Sequence, residues 1–287
     1  MGAAAQRCVI RKVCVVGGTH GNEYTGVFVV RKLEAMRSRL SLRFPSLEIT
    51  TLVANEAAHR ENRRFLEEDL NRQFSAEKLS GPPAMSLEAR RARELIASVF
   101  GQKASPNFDL VVDLHTTTAN MGATIIADQW DAFAVRAAAH LTTKGDRKIL
   151  YNAIPSRENS PYLASIGKHA LQIECGPTPQ GVLRHDVVEA TEAALFDLLE
   201  FLENGGEVPG EVEAFTTDGS HEKLEWPVDE FGFPTAVVSK SLQDRDFMPL
   251  APGDPVFVSY DGSVVPAATT TLPPAAASAS RAKSPSK

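Results

Sequence analysis

Three short, largely apolar runs in this 287-residue chain each stop at a chemically loaded tail. KVCVVG leads into GTHGNE, FDLVVDL into HTTT, and ALQI into ECGPTPQG. An apolar run of four to eight residues bounded by turn residues suits a strand buried on both faces. Such strands belong to sheets covered by helices on both sides. Between the runs the apolar spacing turns helical, as at Val27, Val30, Leu33 and Leu40 within Glu23–Leu40. Strands alternating with helices predict an α/β fold with a mostly parallel sheet and helices on both faces. In open sheets of this kind ligands bind beyond the carboxyl ends of the strands, so the three tails are predicted to meet.

Leu47–Ala54 and Thr124–Ala127 read as further strands. Ser86–Phe100, with Ser86 as N-cap, Trp130–Leu141 and His185–Leu202 read as helices. Near Gly205 glycine and proline become frequent and only short β-like runs remain, at Thr235–Ser239 and Pro255–Ser259. Residues 10–204 are therefore expected to form the main domain and 205–265 a small β-rich one. From 266 to 287 Pro, Ala, Ser and Thr dominate; such a segment buries too little surface to offset its ordering entropy and is expected to be a disordered tail.

Composition excludes several classes. The net charge of −6 and pI near 5.7 come without a basic stripe, which speaks against nucleic-acid binding. Arg90, Arg91 and Arg93 alternate with Glu88 and Glu94 as a solvated helix face does. No stretch is long and apolar enough for a membrane span, and residues 1–11 lack the apolar core of a signal peptide. Cys8, Cys14 and Cys175 are odd in number and fit no disulfide framework, so a reducing, cytoplasmic location is expected.

His20 and Glu23 are three positions apart where the first strand gives way to a helix, so one turn can aim both at one point. Imidazole and carboxylate both bind zinc, and catalytic zinc keeps three protein ligands and an open position. Alone, this pair is more often a satisfied loop histidine beside an acid. His115 ends a second strand at the same predicted edge, with Asp113 two residues earlier as a partner for its other ring nitrogen. Glu174 ends a third strand and is placed to act as a base, or else as a capping or ion-paired acid. ENRRFLEEDLNRQF offers Arg63, Arg64, Asn71 and Arg72, suited to holding an oxyanion or a carboxylate, or to a solvated face.

GGTHGNE, DLNR, DLHTTTANMG and IECGPTPQGVLR, in this order, resemble the aspartoacylase and aminoacylase-3 branch of the succinylglutamate desuccinylase/aspartoacylase family. The likeness extends over about residues 10–262, including LQDRDFMPLAPGDPVF. It implies a zinc-carboxypeptidase-like α/β domain that hydrolyses N-acyl amino acids, with one zinc held by His20, Glu23 and His115. It further implies Glu174 as catalytic acid/base, Arg64 polarising the scissile carbonyl, and Asn71 and Arg72 holding the substrate carboxylate.

Three departures from the family pattern carry expectations. An ungapped count back from Glu174 puts Ala164 where aspartoacylases have an arginine for the aspartate side chain, and Ser160 where they have a tyrosine. A second carboxylate without a cation is costly to bury. Uncharged or aromatic N-acyl amino acids are thus expected, with N-acetyl-L-aspartate the alternative if Arg157 or Lys168 supplies the cation. Thr116 replaces an asparagine. The family's terminal tyrosine-bearing segment has no counterpart after Gly262, which leaves an inactive metal-stabilised binding protein as one rival; a carboxypeptidase-like peptidase, which the same metal set would serve, is another. The resemblance also makes a homo-oligomer possible.

Overall fold

The computed structural model describes residues 10–82, 85–154, 156–206, 212–217 and 224–267, and the backbone of 280–281. The chain begins with β1 (Lys12–Gly17), α1 (Tyr24–Ala35), α2 (Arg37–Arg43), β2 (Glu48–Val53) and α3 (Glu56–Arg60). After α4 (Ala76–Ser80) and α5 (Leu87–Leu95) comes a small ribbon of β3 (Gly101–Gln102) and β4 (Ser105–Pro106). β5 (Leu110–Thr116), β6 (Gly122–Ala127), α6 (Ala132–Thr143), β7 (Arg147–Asn152), β8 (His169–Gly176) and α7 (His185–Glu203) follow. Last come β9 (Glu213–Thr217), the trio β10 (Ala236–Val238), β11 (Pro255–Ser259) and β12 (Val264–Pro266), and β13 (Ser280–Arg281).

The large sheet runs β13-β9-β7-β6-β8-β5-β1-β2. β2, β1, β5 and β8 are mutually parallel, and so are β6, β7 and β9. The two blocks meet antiparallel where β6 pairs with β8. The predicted mostly parallel sheet is there, with a seam the apolar pattern did not show.

Alternation along β1 divides the core, since successive side chains leave opposite faces of a strand. Val13 and Val15 pack in the cluster that contains Val30, Leu33, Leu195 and Leu198 of α1 and α7. Cys14 and Val16 join Leu70, Phe74, Leu95 and Phe100 on the other face. Every residue of β5 is buried, as a strand between two helical layers requires. Burial also pushes the Cys14 and Cys175 thiols up, Cys175 to about 11, so both are inert small hydrophobes.

Three predicted boundaries shift. The helix expected over Glu23–Leu40 breaks at Met36 (φ −101°, ψ 10°), whose N–H closes α1 before α2 begins. β7 was not foreseen: RKILYN has one buried residue, Ile149, and opens on two cations. β9, expected in the β-rich unit from 205, pairs instead with β7 of the large sheet. The antiparallel trio β10–β12 has its own core of Ala236, Val256, Phe257 and Ala267. Pro266 and Ala267 thus belong to it rather than to the expected tail. Most of that tail lies outside the described residues; β13 within it pairs with β9.

Candidate active site

Glu23 occupies the N-cap of α1 yet makes no capping bond. Its carboxylate turns inward instead. Oε1 lies 2.6 Å from His20 Nδ1, and Oε2 lies 2.9 Å from His115 Nδ1 and accepts from the Thr116 N–H at 3.0 Å. His20, Glu23 and His115 are all buried, and their nearest ligand atoms lie within 4.8 Å of one another. These three could hold a metal ion.

The outer nitrogens decide the chemistry. His115 Nε2 lies 2.9 Å from Asp113 Oδ2, and Asp113 Oδ1 accepts from the Thr19 hydroxyl at 2.8 Å. His20 Nε2 lies 3.1 Å from Asp69 Oδ1. A neutral imidazole that donates through Nε2 leaves a lone pair on Nδ1. Both lone pairs would then face the two oxygens of one carboxylate, acceptor against acceptor. Such a cluster needs positive charge at its centre, from protons on the rings or from a cation. Burial pushes the His115 imidazole down, but Asp113 and Glu23 raise it well above its ordinary value. In His20, Asp69 and Glu23 likewise outweigh burial. The carboxyls of Glu23 and Asp69 are held far below their ordinary range despite burial, by His115 and His20 for Glu23 and chiefly by His20 for Asp69. Two imidazoles, one carboxylate and a carboxylate behind each ring match the donor set of a metal with an open coordination position.

Glu174 of β8 lies opposite His115 of β5 in register. Burial raises its carboxyl above the ordinary range, with His115 pulling the other way. Arg64 reaches the cluster from an irregular loop. Its Nη1 is 3.5 Å from Glu23 Oε1, and its Nη2 is 3.2 Å from Asp69 Oδ2. Two close approaches place that loop. Gly21 donates its N–H to the Arg64 carbonyl at 3.1 Å, and a Cβ on Gly21 would lie 2.3 Å from the backbone of Ala58 and His59. On the other side Glu88 accepts the N–H groups of Leu66, Glu67 and Glu68 at 2.7–3.1 Å.

The cluster opens into a cleft of about 440 Å³ that His20, Glu23, His115, Arg64, Asn71, Arg72 and Glu174 all line. Asn71 and Arg72 sit in the turn Leu70–Arg72, capped by Asp69. Asn71 Oδ1 accepts from the Leu163 N–H at 2.8 Å, and the Arg72 guanidinium lies 5.0 Å over the Tyr162 ring.

Ser160 and Ala164, expected to touch substrate, do not line the cleft. Ala164 is buried in the core beside Leu163 and Ile166, and the Ser160 carbonyl accepts from the Lys103 ammonium at 2.9 Å. Leu163–Ile166 is a 3₁₀ turn whose four residues are all buried; Tyr162, just before it, is the residue of that segment in the cleft. Neither replacement cation is there. Arg157 donates to the carbonyls of Gly167 and Lys103, and Lys168 pairs with Asp109 at the opposite sheet edge. Of the described residues lining the cleft, the arginines are Arg64 and Arg72, with no lysine. Sequence reasoning missed Asp69, although it stands two residues before Asn71 much as Asp113 stands two before His115. It also missed Gln172, Asn152, Ile126 and Leu150.

A buried His–Glu–His centre at the strand ends of an α/β sheet, beside a raised carboxyl and two arginines, defines the chain as a metallohydrolase-like protein. Residues 9–202 match the succinylglutamate desuccinylase/aspartoacylase catalytic domain, and the chain belongs to that family. It is 38% identical over 265 residues to the human N-acyl-aromatic-L-amino acid amidohydrolase (carboxylate-forming), covering 88% of this chain and 81% of that one. It is 36% identical over 267 residues to mouse aspartoacylase, with 90% and 84% covered. The crystal structure of murine aminoacylase 3 superposes with a TM-score of 0.80 at 30% identity, covering 91% of this chain and 87% of that one.

Proposed function

We propose that this protein is a zinc-dependent amidohydrolase that splits N-acyl-L-amino acids into a carboxylate and a free amino acid, preferring uncharged side chains to aspartate. The observation that carries the reading is the buried His20–Glu23–His115 cluster with Glu174 in register beside it. The relatives named above act, by their names, on N-acyl aromatic amino acids and on acylated aspartate. The nitrogen and oxygen donors suit zinc, which when bound lowers the pKa of water and polarises a carbonyl. Glu174 takes the proton from the attacking water on its carboxylate and returns it to the departing amine nitrogen. Arg64 donates to the oxygen that gains charge at the scissile carbonyl. Arg72 and Asn71 hold the substrate carboxylate, while Tyr162 stacks against the Arg72 guanidinium. A carboxylate side chain finds no further cation among the described lining residues, which disfavours aspartate.

Purified protein loaded with zinc should hydrolyse N-acetyl-L-tyrosine faster than N-acetyl-L-aspartate and stop when the metal is chelated. Turnover that survives chelation refutes the metal dependence; preference for aspartate refutes the specificity.

A further inference from the structure

The cleft continues past the groups that act on the amide. Gln172 on β8, Ile126 on β6 and Leu150 on β7 lie opposite one another in register, so their side chains leave one face of the sheet side by side. Gln172 stands two residues before Glu174, on the same face and about 7 Å along the strand. A side-chain donor four bonds from the amide nitrogen, at about 1.5 Å each, lies up to about 6 Å away, and a hydrogen bond of about 3 Å covers the rest. Just beyond β6 lies Asp128, 2% exposed. Its Oδ1 accepts from the Asn152 amide at 3.2 Å and from the Gln172 amide at 3.4 Å. Gln172 and Asn152 line the cleft, and Asp128 stands behind them.

That arrangement sets the polarity of the wall. An ionised carboxylate only accepts, so both amides turn their NH₂ groups towards Asp128. This directs the Gln172 carbonyl oxygen away from Asp128 and into the cleft. Burial pushes the Asp128 carboxyl up to about 6, against the Asn152 amide and the charge of Lys103, so it is ionised at neutral pH. We propose that Gln172 and Asn152, oriented by Asp128, form a specificity-determining wall that selects N-acyl amino acids whose neutral side chains carry an N–H or O–H donor. A donor meets the Gln172 oxygen; an apolar side chain of the same shape leaves that oxygen unpaired once water is expelled. A carboxylate meets an acceptor and the Asp128 charge together. The inference rests on the hydrolase reading and names the side chain it would take.

N-acetyl-L-asparagine, N-acetyl-L-leucine and N-acetyl-L-aspartate share one branched shape and differ in polarity and charge, so their kcat/KM values on the zinc-loaded full chain are the test. The asparagine derivative should lead each of the others by about tenfold or more. In Gln172→Met the asparagine-to-leucine ratio should fall towards unity, with the loss in KM. In Asp128→Asn the asparagine-to-aspartate ratio should fall too, although that side chain touches no substrate. Wild-type preference for leucine or aspartate overturns the proposal, and so do ratios unchanged within about twofold in Gln172→Met, whether or not Asp128→Asn folds. If the wild-type protein cleaves none of the three nor N-acetyl-L-tyrosine, the hydrolase reading falls and takes this one with it. Cleavage without selectivity sinks the wall alone.

Discussion

At the scale of single residues, the site is a set of acceptors that agree only around positive charge. Glu174 should be separable from that set, because it binds neither His20 nor His115 by hydrogen bond. Glu174→Gln should lose about 10²-fold or more in kcat while zinc content, measured on the same sample, stays at one per chain. Near-wild-type turnover would show that another group moves the proton. The two carboxylates behind the imidazoles give the complementary case. Asp69→Asn or Asp113→Asn should weaken zinc binding by about 10- to 100-fold in a competition titration against a chelating dye; equal affinity would mean that the rings are oriented by other contacts. Asp113 was legible because it flanks a histidine at a strand end. Asp69 was not, because its partner His20 is 49 positions away and the segment around it, ENRRFLEEDLNRQF, looks like charged loop.

At the scale of elements, the loop that carries Arg64 and Asp69 has little regular structure of its own. It leans on α5 through Glu88, which is 1% exposed and accepts three consecutive backbone N–H groups as well as the Asn55 amide. Burial alone would raise the Glu88 carboxyl, but these donors hold it below its ordinary value. Gln offers one acceptor oxygen where Glu offers two, so Glu88→Gln should destabilise the fold by about 2–4 kcal/mol. It should also lower kcat/KM, since Arg64 loses its support. The sign with pH follows from the depressed pKa. The wild-type advantage is complete above the unfolded value near 4.5 and is lost as pH falls through the lower folded value. The gap between the denaturant midpoints of the two proteins should therefore narrow as pH falls below about 4.5; a gap that does not change with pH would mean that the charge contributes nothing. The elements that escaped the sequence have the same kind of cause. A buried strand announces itself by a largely apolar run, as β1, β5 and β8 do. β7 borders the cleft and sits near the sheet margin, so its exposed and lining positions are polar and the run is broken.

At the scale of the whole molecule, the cation the cluster calls for should also hold the fold together, since its ligands come from the turn between β1 and α1 and from β5, more than ninety residues apart in the chain. Free zinc at about a thousand times its dissociation constant adds about 4 kcal/mol to a native state that alone binds it. For a chain of this size that is roughly 10 °C in Tm. A melting curve indifferent to chelation would deny the cluster its ion. The class of fold and the meeting of three strand ends were readable from local pattern, whereas His20, Glu23 and His115 were candidates by position and became a ligand set only through the family resemblance. The seam between the two blocks of strands was not, because strand direction leaves no mark on an apolar run. That seam has a lasting consequence. The centre and Glu174 belong to one block, while Ile126, Leu150 and Asn152 belong to the other, which runs the opposite way. Gln172 shares β8 with Glu174, so the cleft wall is stitched across the seam, and a substitution at Ile126, Leu150 or Asn152 would reshape the cleft from strands that carry none of the central residues.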